Sequence, residues 1–179
     1  MSHKKLTVPF LIVICTAALL LGLNLGLKGM AAANKEADRK YVMSVLLPGS
    51  VEFTEELYEG EDRNIVAVYR GTGGYVIETK VSGYVDDIVT LVGVDQEGAV
   101  TGLVVTNMSE TFGLGRRAMT DTAFLGQFLA TKGDADIGTN VDALSGATVT
   151  SKAMVKAVNS AAAFVTGADV SSGASEWGG

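Results

Sequence analysis

The chain has 179 residues, a formal net charge of −6 and a mean hydropathy of +0.30, with 47% hydrophobic and only 19% charged residues. That balance excludes a disordered chain, a single cysteine excludes a disulfide scaffold, and net acidity without a basic patch argues against a nucleic-acid partner. Positive hydropathy with only 7% aromatic residues points to apolar side chains concentrated in one place.

That place is Leu6 to Leu27, 22 residues without a charge. As a helix the run spans about 33 Å at about 1.5 Å per residue, enough to cross a hydrocarbon core. Pro9 and Asn24 lie near its ends, where backbone or water can satisfy polar groups. Lys4 and Lys5 in front and Ala31 to Ala33 behind also fit a cleaved secretory signal. An apolar core of about 7–15 residues is usual there, so the longer run predicts a retained anchor over residues 1–29. Charge does not orient it, because Lys4 and Lys5 on one side face Lys28, Lys35, Arg39 and Lys40 on the other. All 20 acidic residues follow the run; the 14 basic residues less Lys4 and Lys5 leave 12 with them, a net of −8.

Residues 30–48 read as a helical stalk ending at Pro48, with Val42, Leu46 and Leu47 on one stripe. The acidic stretch from Glu52 to Asp62 suggests no element. From Asn64 the pattern turns to strands. IVAVY at 65–69 and YVIETKV at 75–81 are separated by glycines, and the β-rich runs 87–94 and 99–107 flank Asp95-Gln96-Glu97-Gly98, a predicted hairpin. Asp121 to Thr131 reads as a helix with Phe124, Leu125, Phe128 and Leu129 on one side, and 132–147 as loop. Ser151 to Val165 reads as a helix capped by Thr150 or Ser151, with Val155, Val158 and Ala162 toward the core. The order predicts an α+β fold: one antiparallel sheet with packed helices in a single domain over 49–170, then a loose tail over 171–179.

Much chemistry is excluded. The one histidine, His3, precedes the apolar run and the one cysteine, Cys15, lies inside it. A thiolate zinc cluster and a histidine-dependent triad are therefore ruled out, and no phosphate-binding P-loop motif occurs. The pair Asp86-Asp87 reads as a solvated turn, so no catalytic residue and no metal ligand is expected. Two segments stand out. Ser109 to Arg117 is rich in glycine after a strand, which suits either a plain connecting loop or a close backbone approach to a ligand. Asp142 to Lys152 (DALSGATVTSK) places hydroxyls at Ser145, Thr148, Thr150 and Ser151 at a helix entrance, with Lys152 in the first turn. Free N–H groups and the positive dipole end suit a phosphate there; the alternative is an elaborate helix cap.

The segment DALSGAT at 142–148 resembles the attachment motif of covalently flavinylated proteins, and SETFGLG at 109–115 resembles the ETPGLG-type loop of the same domain. The layout, one span followed by a domain ending in SGATxTSKAxxxAVN, is similar to the G subunits of Rnf electron-transport complexes. The C subunits of Na⁺-translocating NADH:quinone reductases are close relatives and the alternative assignment. The resemblance covers roughly Gly83 to Ala163 and the apolar run. It implies FMN joined through its phosphate to Thr148, with Ser145, Gly146 and Ala147 lining the phosphate turn. Asp142 would belong to the signal read by a flavin transferase, and Glu110, Thr111, Leu114 and Gly115 would lie near the flavin ring or ribityl chain. Phe112 departs from the proline usual in the family. The implied protein is a flavin relay in a membrane complex coupling ferredoxin:NAD⁺ electron transfer to Na⁺ or H⁺ movement, with no substrate site of its own. Its partners would be other membrane subunits, especially a flavin-carrying integral one, and its domain would lie outside the cytoplasm on a single-pass anchor in the cell membrane. Two rival readings remain on the residues alone: an anchored domain that binds a phosphate ligand without a covalent bond, and a structural subunit whose hydroxyls only cap a helix.

Overall fold

β-branched and aromatic residues pack well on a pleated surface, and the four richest runs become the four long strands of the domain. In the computed structural model, which describes residues 34–109 and 115–168, these are β2 (Ile65–Gly71), β3 (Gly74–Ser82), β4 (Asp87–Asp95) and β5 (Val100–Asn107). A three-residue strand, β1 (Thr54–Glu56), precedes them within the acidic stretch that suggests no element in sequence. All neighbours pair antiparallel in the order β1-β2-β3-β4-β5. The predicted hairpin between β4 and β5 is present. Asp95 Oδ1 accepts from the backbone N–H of Glu97 and Ala99 at 2.9 and 2.8 Å, and Gly98 adopts φ +83°, the left-handed turn conformation.

Alternate residues of each strand point to opposite faces, and here both faces are covered. Val68, Ile77, Val92 and Val94 join the larger core, under the long helix α3 (Thr148–Thr166). Tyr69, Val76 and Leu91 form a smaller core on the other side with Met43, Leu46 and Leu47. The chain divides into compact units at Tyr41/Val42, within a helix over 34–46 (α1). The last turn of the predicted stalk therefore belongs to the domain core. Thr101 Oγ1 donates to the Leu46 carbonyl, and Ser50 Oγ accepts from Gly73 N–H at 3.1 Å, fixing where that turn lands.

Two helix boundaries differ from the sequence pattern. The helix predicted over Asp121 to Thr131 is only α2 (Thr122–Gly126), capped by Asp121, whose side chain accepts from Phe124 N–H at 3.1 Å. Beyond it the backbone is drawn off to pair with the start of β5. Val100 N–H donates to Thr131 O at 2.9 Å and Ala130 N–H to Val100 O at 2.8 Å, with Ala130 at φ +64°. Phe124 and Phe128 still reach the core, 5.2 Å apart and edge to face, whereas Leu129 stays 49% exposed. The second difference is at α3, which starts at Thr148 rather than Ser151. No helix among the described residues is long and apolar enough to cross a membrane; the run 6–27 and the tail 171–179 lie outside the described residues.

At the surface, Lys80 Nζ meets Asp87 Oδ2 at 2.8 Å across β3 and β4, and Ser82 Oγ donates to Asp87 Oδ1 at 3.0 Å. The hydrogen bond from Lys80, then that from Ser82, holds the Asp87 carboxyl below the usual carboxylate range. The same bond, then the charge of Asp87, raises Lys80. Exposed pairs add little stability. A depressed carboxylate stabilises at neutral pH and loses that contribution as pH falls through its lowered value; the raised Lys80 loses its own only as pH climbs through the raised lysine value. Asp87→Asn is therefore expected to lower the melting temperature slightly at neutral pH, and the gap from wild type is expected to close on acidification. Thermal melts across the acid range check this.

Candidate functional site

The entrance to α3 is built by a tight turn that feeds straight into the helix. Ala147 N–H donates to Leu144 O at 2.9 Å, and Gly146 sits at the third position with φ +75°, a conformation that excludes most side chains. Ser151 N–H donates to Ala147 O at 2.9 Å. The Ser151 hydroxyl accepts from Leu144 N–H at 3.0 Å and donates to Ala147 O at 2.9 Å. The predicted cap residue thus faces inward and ties the turn to the helix from below, which is why the helix begins a turn early. Thr150 is buried beside it.

Two further side chains hold the approach to the turn. Gln127 grips the backbone of Asp142, accepting its N–H at 2.7 Å and donating to its carbonyl at 3.4 Å. Buried Asn159 does the same to Ala135, at 3.0 and 2.8 Å. Gln127 does not stand out in the sequence, and Asn159 enters it only as the last residue of SGATxTSKAxxxAVN, without a role. An amide that bonds both backbone groups of one residue fixes a loop without secondary structure, so 135–147 is pre-formed. Ser151→Ala leaves a buried N–H at Leu144 without its acceptor. It is expected to cost about 1–3 kcal/mol, read from the midpoint of a denaturant titration.

The other side of the turn faces solvent. Ser145, Gly146, Thr148, Lys152 and Asp142 are exposed, while Ala147 is buried. The helix N-cap is Ala147, which makes no side-chain capping bond, and the first turn carries no acidic residue. The first N–H groups of any helix lack intrahelical partners, and its positive end favours an anion. Lys152 lies four residues from Thr148 and so on the same face. Gly115, buried, opens a 3-10 turn (Gly115–Met119) that packs on α3 and β5. Glu110, Thr111, Phe112 and Leu114 lie outside the described residues.

Contacts along α3 give its direction. Thr90 Oγ1 lies 3.9 Å from Met154 Sδ, and Tyr75 meets Phe164 edge-on at 5.3 Å. Thr79 pairs with Thr90, and Tyr75 with Val94. The helix therefore starts toward the sheet end that carries the Gly83–Asp86 turn, where the chain also leaves β5. Tyr84 and Val85 at that turn are 69% and 60% exposed, so an apolar surface lies at the same end as Thr148.

A family model described as the FMN-binding domain matches residues 83–163, from this turn to the last buried alanine of α3. The G subunit of an ion-translocating oxidoreductase complex from Methanosarcina acetivorans is 31% identical over 177 residues, covering 90% of this chain and 94% of that protein. The chain belongs to this G-subunit family. Two further family members are similar over shorter stretches. The G subunit of the Na⁺-translocating ferredoxin:NAD⁺ oxidoreductase complex of Acetobacterium woodii is 32% identical over 113 residues, 58% of this chain and 52% of that one. The G subunit of the proton-translocating ferredoxin:NAD⁺ oxidoreductase complex of Clostridium ljungdahlii is 38% identical over 102 residues, 53% and 55% respectively. Family membership agrees with the resemblance read from DALSGAT and SETFGLG, and the domain that carries those motifs is an FMN-binding domain.

Proposed function

We propose that this chain is an electron-transfer subunit of a membrane complex that couples ferredoxin:NAD⁺ oxidoreduction to Na⁺ or H⁺ translocation, and that it carries FMN ester-linked through the phosphate to Thr148. The observation that carries the reading is the start of α3: an exposed threonine at the first position of a 19-residue helix with no side-chain cap and no acid in its first turn. A helix start without an anion of its own is suited to an external phosphate, and Lys152, one turn on and on the same face as Thr148, adds positive charge beside it. The residues fit the group in kind. Thr148 offers the hydroxyl, Ser145 and the backbone N–H groups offer donors, and Lys152 offers charge, while Thr150 and Ser151 shape the turn from inside. Gly115 supports the loop beneath, and Glu110, Thr111 and Leu114 are proposed to border the ring and ribityl chain.

When bound, FMN supplies one- and two-electron chemistry that side chains cannot. The turn and the start of α3 would hold the phosphate end of the group, and Tyr84 and Val85 offer exposed apolar surface at the same end of the sheet. In the same reading Asp142 is read by a flavin transferase during maturation. The apolar run 6–27 anchors the chain once across the cell membrane with its domain outside the cytoplasm, beside a flavin-carrying integral subunit. Tethering in the membrane raises the effective concentration of the flavin at those partners.

The test is denaturing electrophoresis under ultraviolet light of the full chain co-expressed with a flavin transferase. A fluorescent band at the mass of the chain is expected. A colourless chain that loses its flavin on denaturation would overturn the covalent reading in favour of a non-covalent phosphate-ligand module.

A further inference from the structure

The acidic stretch, which the flavin site does not use, lies on the outer edge of the sheet. Glu52 to Asp62 holds six carboxylates and no basic residue. Glu56 is paired with Arg70 at 2.6 Å and Asp62 accepts from Asn64 at 2.6 Å, whereas Glu52, Glu55, Glu59 and Glu61 are exposed. Beside them runs a cavity of about 420 Å³ whose lining includes Glu55, Leu57, Tyr58, Ile65 and Val66. Leu57 is 85% exposed and Val66 52%, and Val51, just before β1, is also 85% exposed. A short charged edge strand is a common guard against unwanted strand pairing, but that role gives no reason to hold large apolar side chains in water along the same edge. Apolar walls with an acidic rim describe a docking groove. The charge selects the occupant, since it repels nucleic acid and an anionic leaflet alike and attracts lysine and arginine.

We infer that the β1 groove docks a segment of another protein of the same assembly, one that carries lysine or arginine beside apolar residues. This rests on the reading of the chain as a subunit of a complex, yet it concerns a surface separate from the flavin turn, so the two can fail independently. Rim charges of this kind set association rate and partner choice, and their effect falls with salt.

The experiment places a photoreactive phenylalanine analogue at Leu57 in the full-length chain, within membranes holding the whole complex, with the same analogue at exposed Leu129 as reference. Crosslinked peptides are identified by mass spectrometry. The expected result is one partner peptide bearing basic residues, captured from position 57 and not from 129. Its yield is expected to fall about tenfold when Glu55→Lys and Glu59→Lys are combined, and again at ionic strength of about 0.5 M. A thermal melt of the charge-reversed chain that matches wild type shows that it folds, whether or not it carries flavin. A crosslink to lipid, to a second copy of this chain or to a peptide without basic residues would overturn the inference, as would no crosslink or a yield indifferent to charge and salt.

Discussion

Thr148→Ala is expected to abolish the covalent flavin band while leaving the fold intact. The side chain is exposed and stands at the first helical position, not at the N-cap, which is Ala147, so its removal takes away little that holds the domain together. A surface change of this kind shifts stability by about 0.5 kcal/mol or less, and thermal melts of the chain before flavin attachment should match wild type. Thr148→Ser keeps a hydroxyl at the same backbone position and is expected to retain part of the band. Ser145→Ala, on the turn that leads into the helix, is expected to keep most of it. This pattern separates an ester at Thr148 from a helix cap, because a cap would be weakened by Ala and unaffected in fluorescence. A fluorescent Thr148→Ala chain would place the attachment at another residue.

The strands were legible because their information is local. Ile, Val and Tyr in short runs fit a pleat whichever neighbours they meet, and Asp95 and Gly98 encode their own turn. What was not legible depends on residues distant in sequence. β1 is built of Thr and Glu, and Glu is a poor strand former; it exists because β2 pairs with it and Arg70 reaches back 14 residues to Glu56. The early end of α2 follows from the pairing of Ala130 and Thr131 with Val100, which no helical periodicity can report. The site divides in the same way. DALSGAT and its glycine turn can be read directly, but the grips of Gln127 on Asp142 and Asn159 on Ala135 span 15 and 24 residues. Ser151 misleads for a physical reason. Hydroxyl residues before an apolar run usually cap a helix from outside, and here the hydroxyl is turned into the core to bond Leu144 and Ala147.

Gly93→Val is expected to damage the domain severely although it lies far from the flavin turn. Gly93 and Gly102 are register partners on β4 and β5. Together they leave a bare patch on which the end of α1 rests. A Cβ added at Gly93 would stand 2.3 Å from the Leu46 carbonyl oxygen and 2.8 Å from its carbon, both backbone atoms that cannot swing aside. Relief requires the end of α1 to lift, breaking the bond from Thr101 and uncovering Met43, Leu46 and Leu47. Exposing one such side chain costs about 1.5–3 kcal/mol. Losing even two would consume much of the roughly 5–15 kcal/mol that holds an ordinary domain together. At about 2–4 °C per kcal/mol for a chain of this size, the melting temperature should drop by roughly 10 °C or more, and limited proteolysis should cut near residues 47–50. Gly126→Ala supplies the contrast. A Cβ there meets nothing within 4 Å, at the end of a helix that glycine weakens, so that variant is expected to melt at or above the wild-type temperature. If Gly93→Val instead melts with wild type, α1 does not rest on this patch, and the junction between the domain and the residues before it must be drawn differently.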